Sequence, residues 1–546
     1  MTGNLPGPRY AKWSRHRATR ALFAILAVAL LIRIAHALAA IMISPDSAVF
    51  IDYARALGND PLAALRSYHQ HPLYSALILL VHPLAALLAG SGPAGWIVAG
   101  RVVAIAGSLG AVAALYALAA QMVGRRRALL AALLLAVLPD AARIGANVLS
   151  DLPHLASYLA GLAALLAGLR TRRLRWFALA GLAAGLAFLT RPEGASVLVV
   201  GIALLALHGR WPLRHRLAAA AILLVAFLCT AGPYQLATGK LVPKKSPEKL
   251  FRLAIHHLRR DTGAPTPALA PTGTPDNVAA ISLNPAAARS SLRAAALPIP
   301  VDVLRQWARS ARVVYLLLAL LGAALARPHR FGGRVLSAAL GLHILLLCAL
   351  EHSFGYLDRR HALILTVLAL PLAASGMYWL AGQISRRLTR SRTALRSRAV
   401  AGVFAGCLAI TGYWLVLPIN TGEDHVRATT AWVAAHTPPD ADIVTDDRLH
   451  RVALCADRRF VRWPWWSGDV RRLARFLEKR HSAAPCYFLV ESRHMTLPER
   501  NPHFFEDFDR TFGDRMQLVH VEPSPPGTTR TEIRVYRYRP TGRDRR

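Results

Sequence analysis

The chain has 546 residues, of which 54% are apolar and only 18% charged, and it carries a formal net charge of +36. This hydrophobicity excludes a single soluble domain. The charge alone would suit a nucleic-acid-binding protein, but most of it lies in short clusters between long apolar runs. We therefore expect a membrane protein with no nucleic-acid partner.

Apolar segments in residues 1–418 have the length and composition of membrane spans, although some are shorter than the ~20 residues of a full crossing. The predicted fold is a polytopic α-helical membrane protein with about eleven transmembrane helices and a small C-terminal soluble α/β domain. The spans are expected near residues 21–43, 97–122, 128–148, 152–169, 176–190, 195–207, 217–235, 311–326, 335–350, 362–382 and 399–418.

The charged loops predict the orientation. Six Arg-rich clusters contain no acidic residue, as is typical of cytoplasmic loops. This places the N-terminus in the cytoplasm, and it places the outer loops 44–96 and 236–310 with the C-terminal domain on the opposite side. The clusters are residues 1–20, 125–127, 170–175, 208–216, 327–334 and 386–398.

The apolar run at residues 72–90 is the exception in this topology. If it crossed the membrane, the Arg125–Arg127 cluster and every later cluster would lie outside. Pro83 also interrupts the run. We therefore predict a juxtamembrane or re-entrant helix on the outer face, and an ordinary twelfth span remains the alternative.

Residues 419–546 are more polar and contain short apolar patterns that are typical of buried strands, at Ala441–Thr445 and Cys486–Val490. They predict a soluble extracytoplasmic α/β domain. Cys455 and Cys486 are its only cysteines. A disulfide bond and two buried thiols are both compatible with the sequence.

Polar residues predicted at the outer membrane surface carry the candidate chemistry. Transfer of a sugar from a lipid phosphate needs a carboxylate that takes a proton from the acceptor, and fixed positive charge for the departing phosphate. Asp46 is the predicted base, and His71 and Arg101 are the predicted phosphate contacts. Asp151 is predicted to orient the acceptor or to help hold a divalent metal.

Several motifs, in this order and spacing, resemble those of polytopic GT-C glycosyltransferases. The similar families include protein O-mannosyltransferases, the bacterial aminoarabinose transferase of lipid A and bacterial lipopolysaccharide-core transferases. The resemblance covers roughly residues 20–385. The motifs are Ser44–Leu57, His71–Tyr74, Arg101, Asn147–Pro153, Leu189–Gly194 and Tyr356–His361.

The resemblance implies an inverting transferase that uses a polyprenyl-phosphate sugar as donor. Its first-loop aspartate, here Asp46, would be the catalytic base, and its lipid-phosphate positions map onto His71 and Arg101. Its second-loop acidic position maps onto Asp151. Ser47 stands where many relatives have a second acidic residue, which weakens the case for a metal held by neighbouring carboxylates.

The segment that ends at His361 is expected to line the same outer cavity, with Arg359 and Arg360 as candidate donor-binding residues. In many relatives the equivalent of Arg360-His361 is Arg-Tyr. Together with other departures from the family pattern, this difference leaves the identities of donor and acceptor open.

The sequence therefore predicts a glycosyltransferase in a bacterial cytoplasmic (inner) membrane. Its partners would be a lipid-linked sugar donor, the lipid bilayer and an envelope glycan, lipid or protein acceptor. Alternatives are a ligase for lipid-linked polymers, a transporter or flippase, and a non-catalytic scaffold. The sequence lacks the paired internal repeats expected of many transporters.

Overall fold

A computed structural model describes the fold over most of the chain. The predicted outer loop 236–310 lies mostly outside the described residues, and so does Tyr356. The described residues are 15–239, 298–325, 330–354, 357–388, 394–420, 422–463, 470–478, 484–492, 503–524 and 532–539.

Helices make up most of the described residues before Pro418, and the longest are strongly apolar. The helices are α1 (Arg15–Leu38), α2 (Pro45–Asn59), α3 (Pro61–Ser67), α4 (Pro72–Ala89), α5 (Pro93–Val123), α6 (Arg125–Val137), α7 (Pro139–Ile144), α8 (Asp151–Thr171), α9 (Leu174–Thr190), α10 (Ser196–Ala206), α11 (Leu213–Thr238), α12 (Ile299–Ser310), α13 (Val314–Leu325), α14 (Arg330–Phe354), α15 (Leu363–Leu388) and α16 (Ala394–Val416).

Each predicted span overlaps a helix, which confirms the polytopic helical fold. Eight described helices are long and apolar enough to cross a membrane, and the bent pair α12–α13 would make a ninth. α4 is one of the eight by length and composition. The predicted spans at α6, α9 and α10 are shorter helices of 13, 17 and 11 residues.

The predicted span over residues 128–148 is not one continuous helix, because α6 ends at Val137. Leu138 is extended, with φ −65° and ψ 117°. Pro139 follows it, and a proline disfavours the helical conformation of the residue before it. The chain then forms the short α7, which carries Asp140.

Arg33 of α1 forms hydrogen bonds with the C-terminal end of α6. Its side chain is fully buried. Its Nε donates to Ser108 Oγ at 2.7 Å, and its Nη atoms donate to the carbonyl oxygens of Leu135 and Ala136. Those carbonyls belong to the last turn of α6, where the regular i+4 helical donors are missing, and among the described residues Leu135 otherwise accepts only the N–H of Leu138 at 3.4 Å. A buried cation therefore satisfies the end of α6 that leads into the site.

α5 and α8 run side by side in the same direction. Gly107 permits this close approach, because a Cβ there would come within 2.6 Å of Pro153 in the first turn of α8. Further along both helices, Gln121 Nε2 donates to the carbonyl of Ala163 at 3.0 Å. This packing fixes the N-terminal end of α8, where Asp151 lies.

The C-terminal region contains the predicted α/β fold. Its five strands lie in the order β2-β1-β3-β5-β4. β1 is parallel to β2 and β3, whereas β5 is antiparallel to β3 and β4. The elements are α17 (Asp424–His436), β1 (Asp442–Thr445), α18 (His450–Cys455), β2 (Arg459–Arg462), α19 (Val470–Glu478), β3 (Cys486–Glu491), α20 (Phe504–Phe512), β4 (Met516–Pro523) and β5 (Glu532–Tyr538).

The predicted strands at residues 441–445 and 486–490 are confirmed as β1 and β3. Both are mostly buried, since helices pack against the sheet. No disulfide bond joins Cys455 and Cys486, and both side chains are half-buried.

Candidate active site

An arginine joins the two carboxylates that the sequence analysis singled out. Asp46 lies in the first turn of α2, directly after Pro45, and its side chain is 54% exposed. Arg360 lies in the turn before α15, and its Nη2 donates to Asp46 Oδ2 at 2.8 Å. Its Nε lies 3.6 Å from Asp151 Oδ1. The fold thus brings together three predicted site residues that lie far apart in sequence.

Asp151 also contacts a second arginine. Its side chain is 9% exposed, and Arg191 Nη1 donates to its Oδ1 at 2.5 Å. Arg191 Nη2 donates to Glu193 Oε1 at 3.3 Å, within the turn between α9 and α10. Arg191 therefore forms ion pairs with two carboxylates, and it links this turn to the start of α8.

Both guanidinium groups are held in their charged form. Asp151 and Asp46 raise the pKa of Arg360 and outweigh the opposing effect of burial. Burial alone would lower the pKa of Arg191, but the carboxylates of Glu193 and Asp151 raise it. The site therefore keeps two permanent cations beside Asp151, as binding of a phosphate would require.

His361 follows Arg360 and remains neutral at physiological pH. Burial is the largest cause, and the guanidinium groups of Arg191 and Arg360 add to it, so that the pKa of His361 falls to about 4. The side chain lies with Asp151 and Glu193 around a cavity of about 20 Å³. Its neutral ring adds no further positive charge beside the two arginines.

The lowered pKa of His361 predicts a pH dependence of stability. An unfolded histidine has a pKa near ~6.5, so between about pH 4 and 6.5 the unfolded chain binds more protons than the folded one. His361 therefore contributes a decrease in the free energy of unfolding as the pH falls through this window. We expect His361→Gln to lose less thermal stability than the parent between pH 7 and pH 5, as measured by the unfolding midpoint in detergent. Equal losses would contradict this prediction, and His16→Gln, at an exposed histidine, serves as the control.

A second ion-pair cluster surrounds Asp140. Arg312 Nη2 donates to Asp140 Oδ1 at 2.6 Å, and Arg359 Nε lies 3.8 Å from Asp140 Oδ2. Arg312 also lies over the ring of Trp414, with its Cζ 4.8 Å from the ring centroid. The predicted donor contact Arg359 thus shares a carboxylate with an arginine that the sequence analysis did not single out.

An unusual backbone conformation places Arg312. α12 and α13 meet at an angle of 105°. Arg312 and Val313 lie between them with φ values of 51° and 55°. This left-handed region is rarely populated by residues other than glycine, and least by a β-branched residue such as Val313. Such strain is concentrated at functional sites in proteins, where the surrounding structure maintains it.

Two adjoining cavities connect the clusters. The first has a volume of about 190 Å³ and is lined by Ser44, Asp140, Asn147 and Arg360, among others. The second has a volume of about 550 Å³ and is lined by Arg309, Arg312, Ile410 and Trp414, among others. Asp358 and Arg359 line both cavities. The first cavity is lined mostly by polar residues, and the second is lined by both cationic and apolar residues.

The predicted phosphate contacts are His71, the residue before α4, and Arg101 of α5, and neither lines the cavities beside Asp151 and Asp140. His71 is buried, and its ring meets those of Phe188 and Tyr234 at centroid distances of 4.9 and 5.8 Å. Arg101 is half-buried close to Cys455 of α18. Within the described part of the chain, the buried Arg101 Nε atom has no hydrogen-bond partner.

The geometry around Asp46 and Asp151 does not fit a divalent metal. Arg360 already lies between the two carboxylates and contacts both. Among the described residues there is no group of three or more His, Cys, Asp or Glu side chains arranged to hold a metal ion. A divalent cation here would face the repulsion of the arginine cations.

Comparison with known proteins gives a consistent picture of the fold. Residues 70–233 match the family model described as dolichyl-phosphate-mannose-protein mannosyltransferase. No curated protein sequence gives a significant match.

The solved structures with a similar fold include an oligosaccharyltransferase and an ArnT protein. The oligosaccharyltransferase AglB from Archaeoglobus fulgidus, in complex with an inhibitory peptide and a dolichol-phosphate, has 13% identity and a TM-score of 0.54, and the match covers 97% of this chain and 75% of that one. ArnT from Cupriavidus metallidurans, bound to undecaprenyl phosphate, has 16% identity and a TM-score of 0.53, with 95% and 98% coverage.

These findings define the class of fold. Both solved proteins are GT-C glycosyltransferases, and the alignments extend over nearly the whole of this chain. The protein is therefore a polytopic membrane protein with a GT-C fold. The family-model match over residues 70–233 agrees with the resemblance that the sequence motifs indicate.

Proposed function

We propose that the protein is an inverting glycosyltransferase that moves a sugar from a polyprenyl-phosphate donor to an envelope lipid, polysaccharide or protein. The transfer would take place on the outer face of a bacterial cytoplasmic membrane. The observation that carries the proposal is the contact of Arg360 with both Asp46 and Asp151 at the edge of a polar cavity. A base, a fixed cation and a second carboxylate are thereby assembled in one place.

In the proposed reaction, the acceptor hydroxyl attacks the anomeric carbon of the donor sugar. Asp46 takes the hydroxyl proton as the new C–O bond forms. The bond between the anomeric carbon and the phosphate oxygen breaks, and its electron pair leaves with the polyprenyl phosphate. Attack opposite to the departing phosphate inverts the configuration at the anomeric carbon.

Arg360 has two tasks in this proposal. Before the donor binds, it pairs with Asp46 and also contacts Asp151. A donor phosphate in the cavity would compete for its guanidinium group, which matches two phosphate oxygens in a planar fork. Drawing Arg360 away from Asp46 would release the base at the moment when the leaving group is in place. Arg359 and Arg312 line the adjoining cavity and add positive charge there.

We also propose that α4 does not cross the membrane. The N-terminal end of α4 lies beside Phe188, close to the C-terminal end of α9. That end of α9 lies on the side of Asp151, because Arg191 just beyond it contacts Asp151. The C-terminal end of α4 leads through a short turn into the N-terminal end of α5. Because α5 and α8 run in parallel, that start lies on the same side as Asp151. Both ends of α4 then lie on the side of the proposed active site.

The position of Arg360 predicts activity without a divalent metal, because a guanidinium group supplies the positive charge between the two carboxylates. We expect treatment with EDTA, followed by its removal, to change the transfer rate less than twofold. Addition of Mg²⁺ or Mn²⁺ should likewise have no effect. A loss of activity that only a metal restores would contradict this assignment.

The anomeric configuration of the product tests the proposal. Membranes that contain the protein would be supplied with a panel of polyprenyl-phosphate sugars, and the product linkage would be determined by NMR. We expect a linkage whose anomeric configuration is opposite to that of the donor, and no such product in membranes without the protein. A product that retains the donor configuration would contradict single displacement with Asp46 as the base.

A further inference from the structure

We propose that the C-terminal domain holds the loop that carries Asp46 and that His450, Arg451 and Asn420 are positioning residues for this base. This inference rests on the proposed function in so far as it assigns Asp46 a catalytic role. The loop concerned is residues 41–52, which begins after α1 and includes the first half of α2.

The segment after α16 and the helix α18 bind the loop on both sides of Asp46. Before Asp46, Asn420 Nδ2 donates to the carbonyl of Met42 at 2.8 Å, and Arg451 Nη1 donates to the carbonyl of Ile43 at 2.8 Å. After Asp46, His450 Nε2 and Asp52 Oδ2 lie 2.6 Å apart. Asp46 therefore lies between points of attachment that a different part of the chain provides.

The attaching side chains are themselves fixed. Arg451 is 4% exposed and makes a two-pronged contact with both carboxylate oxygens of Glu423, at 2.6 and 2.9 Å. His450 is 3% exposed, and its ring stacks on Phe460 of β2 at a centroid distance of 3.7 Å. Side chains that are fixed by packing and hydrogen bonds can hold the loop in one position, whereas mobile surface pairs cannot.

Apolar packing joins the same two parts. Met42 of the loop belongs to the core of the C-terminal domain, where it packs with Ile443 and Val452 among others. Conversely, Leu454 of α18 belongs to the cluster formed by α2 and its neighbours, together with Ile51. Because each part contributes a side chain to the core of the other, the loop and the domain move together.

A residue that leads into α8 also holds the loop. Asn147 Nδ2 donates to Ser44 Oγ at 2.6 Å, and Ser47 Oγ donates to Asn147 Oδ1 at 3.4 Å. The segment that carries Asp46 is thus held by Asn147 as well as by the C-terminal domain. Displacement of a catalytic group by about 1 Å reduces a rate by about 10²-fold. The domain contacts are therefore expected to affect turnover.

The test uses the full-length protein in detergent and compares Asp52→His, His450→Asp and the double swap with the parent. The first measurement is hydrogen–deuterium exchange of peptides from residues 40–59, which does not depend on activity. Each single variant is expected to increase exchange in this loop. The double swap contains the same histidine–aspartate pair with the two residues exchanged, and it is expected to reverse the increase. Asp447→Asn, which breaks the ion pair with Arg462 inside the same domain, should leave exchange of the loop unchanged.

The second measurement separates kcat from KM in the transfer assay. Each single variant is expected to lower kcat by about 10- to 100-fold, with a change in the donor KM of less than twofold, and the swap is expected to restore kcat. Unchanged exchange in the single variants, or faster exchange with unchanged kcat, would overturn the positioning role. Faster exchange that the swap reverses, in a protein that transfers no sugar from any donor, would support the attachment of the loop and contradict the proposed function.

Discussion

Replacement of Asp46 by asparagine is expected to reduce kcat by about 10²- to 10⁴-fold, the range that a general base contributes. Asparagine keeps the shape of the side chain and accepts a hydrogen bond from Arg360, but it cannot take the acceptor proton. The ion pair itself contributes little to stability, because Asp46 is half exposed. Transfer rate and thermal stability, measured on the same preparation, would separate the two effects.

Asp60 provides the matched control for this substitution. It lies between α2 and α3, and its carboxylate caps α3 by accepting the backbone N–H of Ala63 at 3.0 Å. Asparagine also caps helices well, so Asp60→Asn should leave both stability and transfer nearly unchanged. If Asp46→Asn had no larger effect than Asp60→Asn, Asp46 would be removed from the mechanism.

Replacement of Arg360 by alanine is expected to reduce kcat/KM by about 10²- to 10³-fold, the effect of removing one preorganised electrostatic contact to the charge that develops in a transition state. The change removes a fixed cation from the proposed phosphate site and leaves Asp46 without its partner. Arg360→Lys should recover only part of the loss, because an ammonium group cannot bridge Asp46 and Asp151 as a planar guanidinium does.

The control for Arg360 is Arg427→Ala, which breaks the exposed pair with Asp424 on α17 and should change kcat/KM less than twofold. Added guanidinium is expected to raise the rate of Arg360→Ala but not that of Asp46→Asn. Equal activity of the alanine and lysine variants, with no response to guanidinium, would show that Arg360 does not act through its charge in the reaction.

The sequence allowed much of the helical framework to be predicted, because apolar runs and clusters of arginine are local patterns. It did not predict the breaks between helices. Pro139 ends α6 within an apolar run, and the bend between α12 and α13 lies at two residues of positive φ that are not glycine. Arg33 gives no local sign of its buried role, since its partners lie in α5 and at the end of α6.

The residues of the candidate site could be predicted from local motifs, but their contacts could not. Asp46, Asp151 and Arg360 were recognised separately through motifs, and the fold shows that they are in contact. The contact itself joins residues 314 positions apart and has no signature in spacing. Neither the pairing of Arg312 with Asp140 nor that of His450 with Asp52 was anticipated, because tertiary packing alone creates these pairs.

The C-terminal domain shows the same limit. The apolar patterns of β1 and β3 predicted strands, but they did not predict that the strands are parallel neighbours or that α18 binds the loop of Asp46. The contacts of Asn420, His450 and Arg451 with the loop make the C-terminal domain part of the structure around the proposed base.

Consumption of the donor tests whether Asp46 acts as a base in transfer from a lipid-linked sugar. Purified protein in liposomes would receive a panel of polyprenyl-phosphate sugars with a membrane extract as the source of acceptor, and release of polyprenyl phosphate would be followed for the parent and for Asp46→Asn. We expect the parent to consume at least one donor and the variant to consume it at least about 10²-fold more slowly. Equal consumption by both proteins, or no consumption by the parent of any donor, would contradict this role of Asp46.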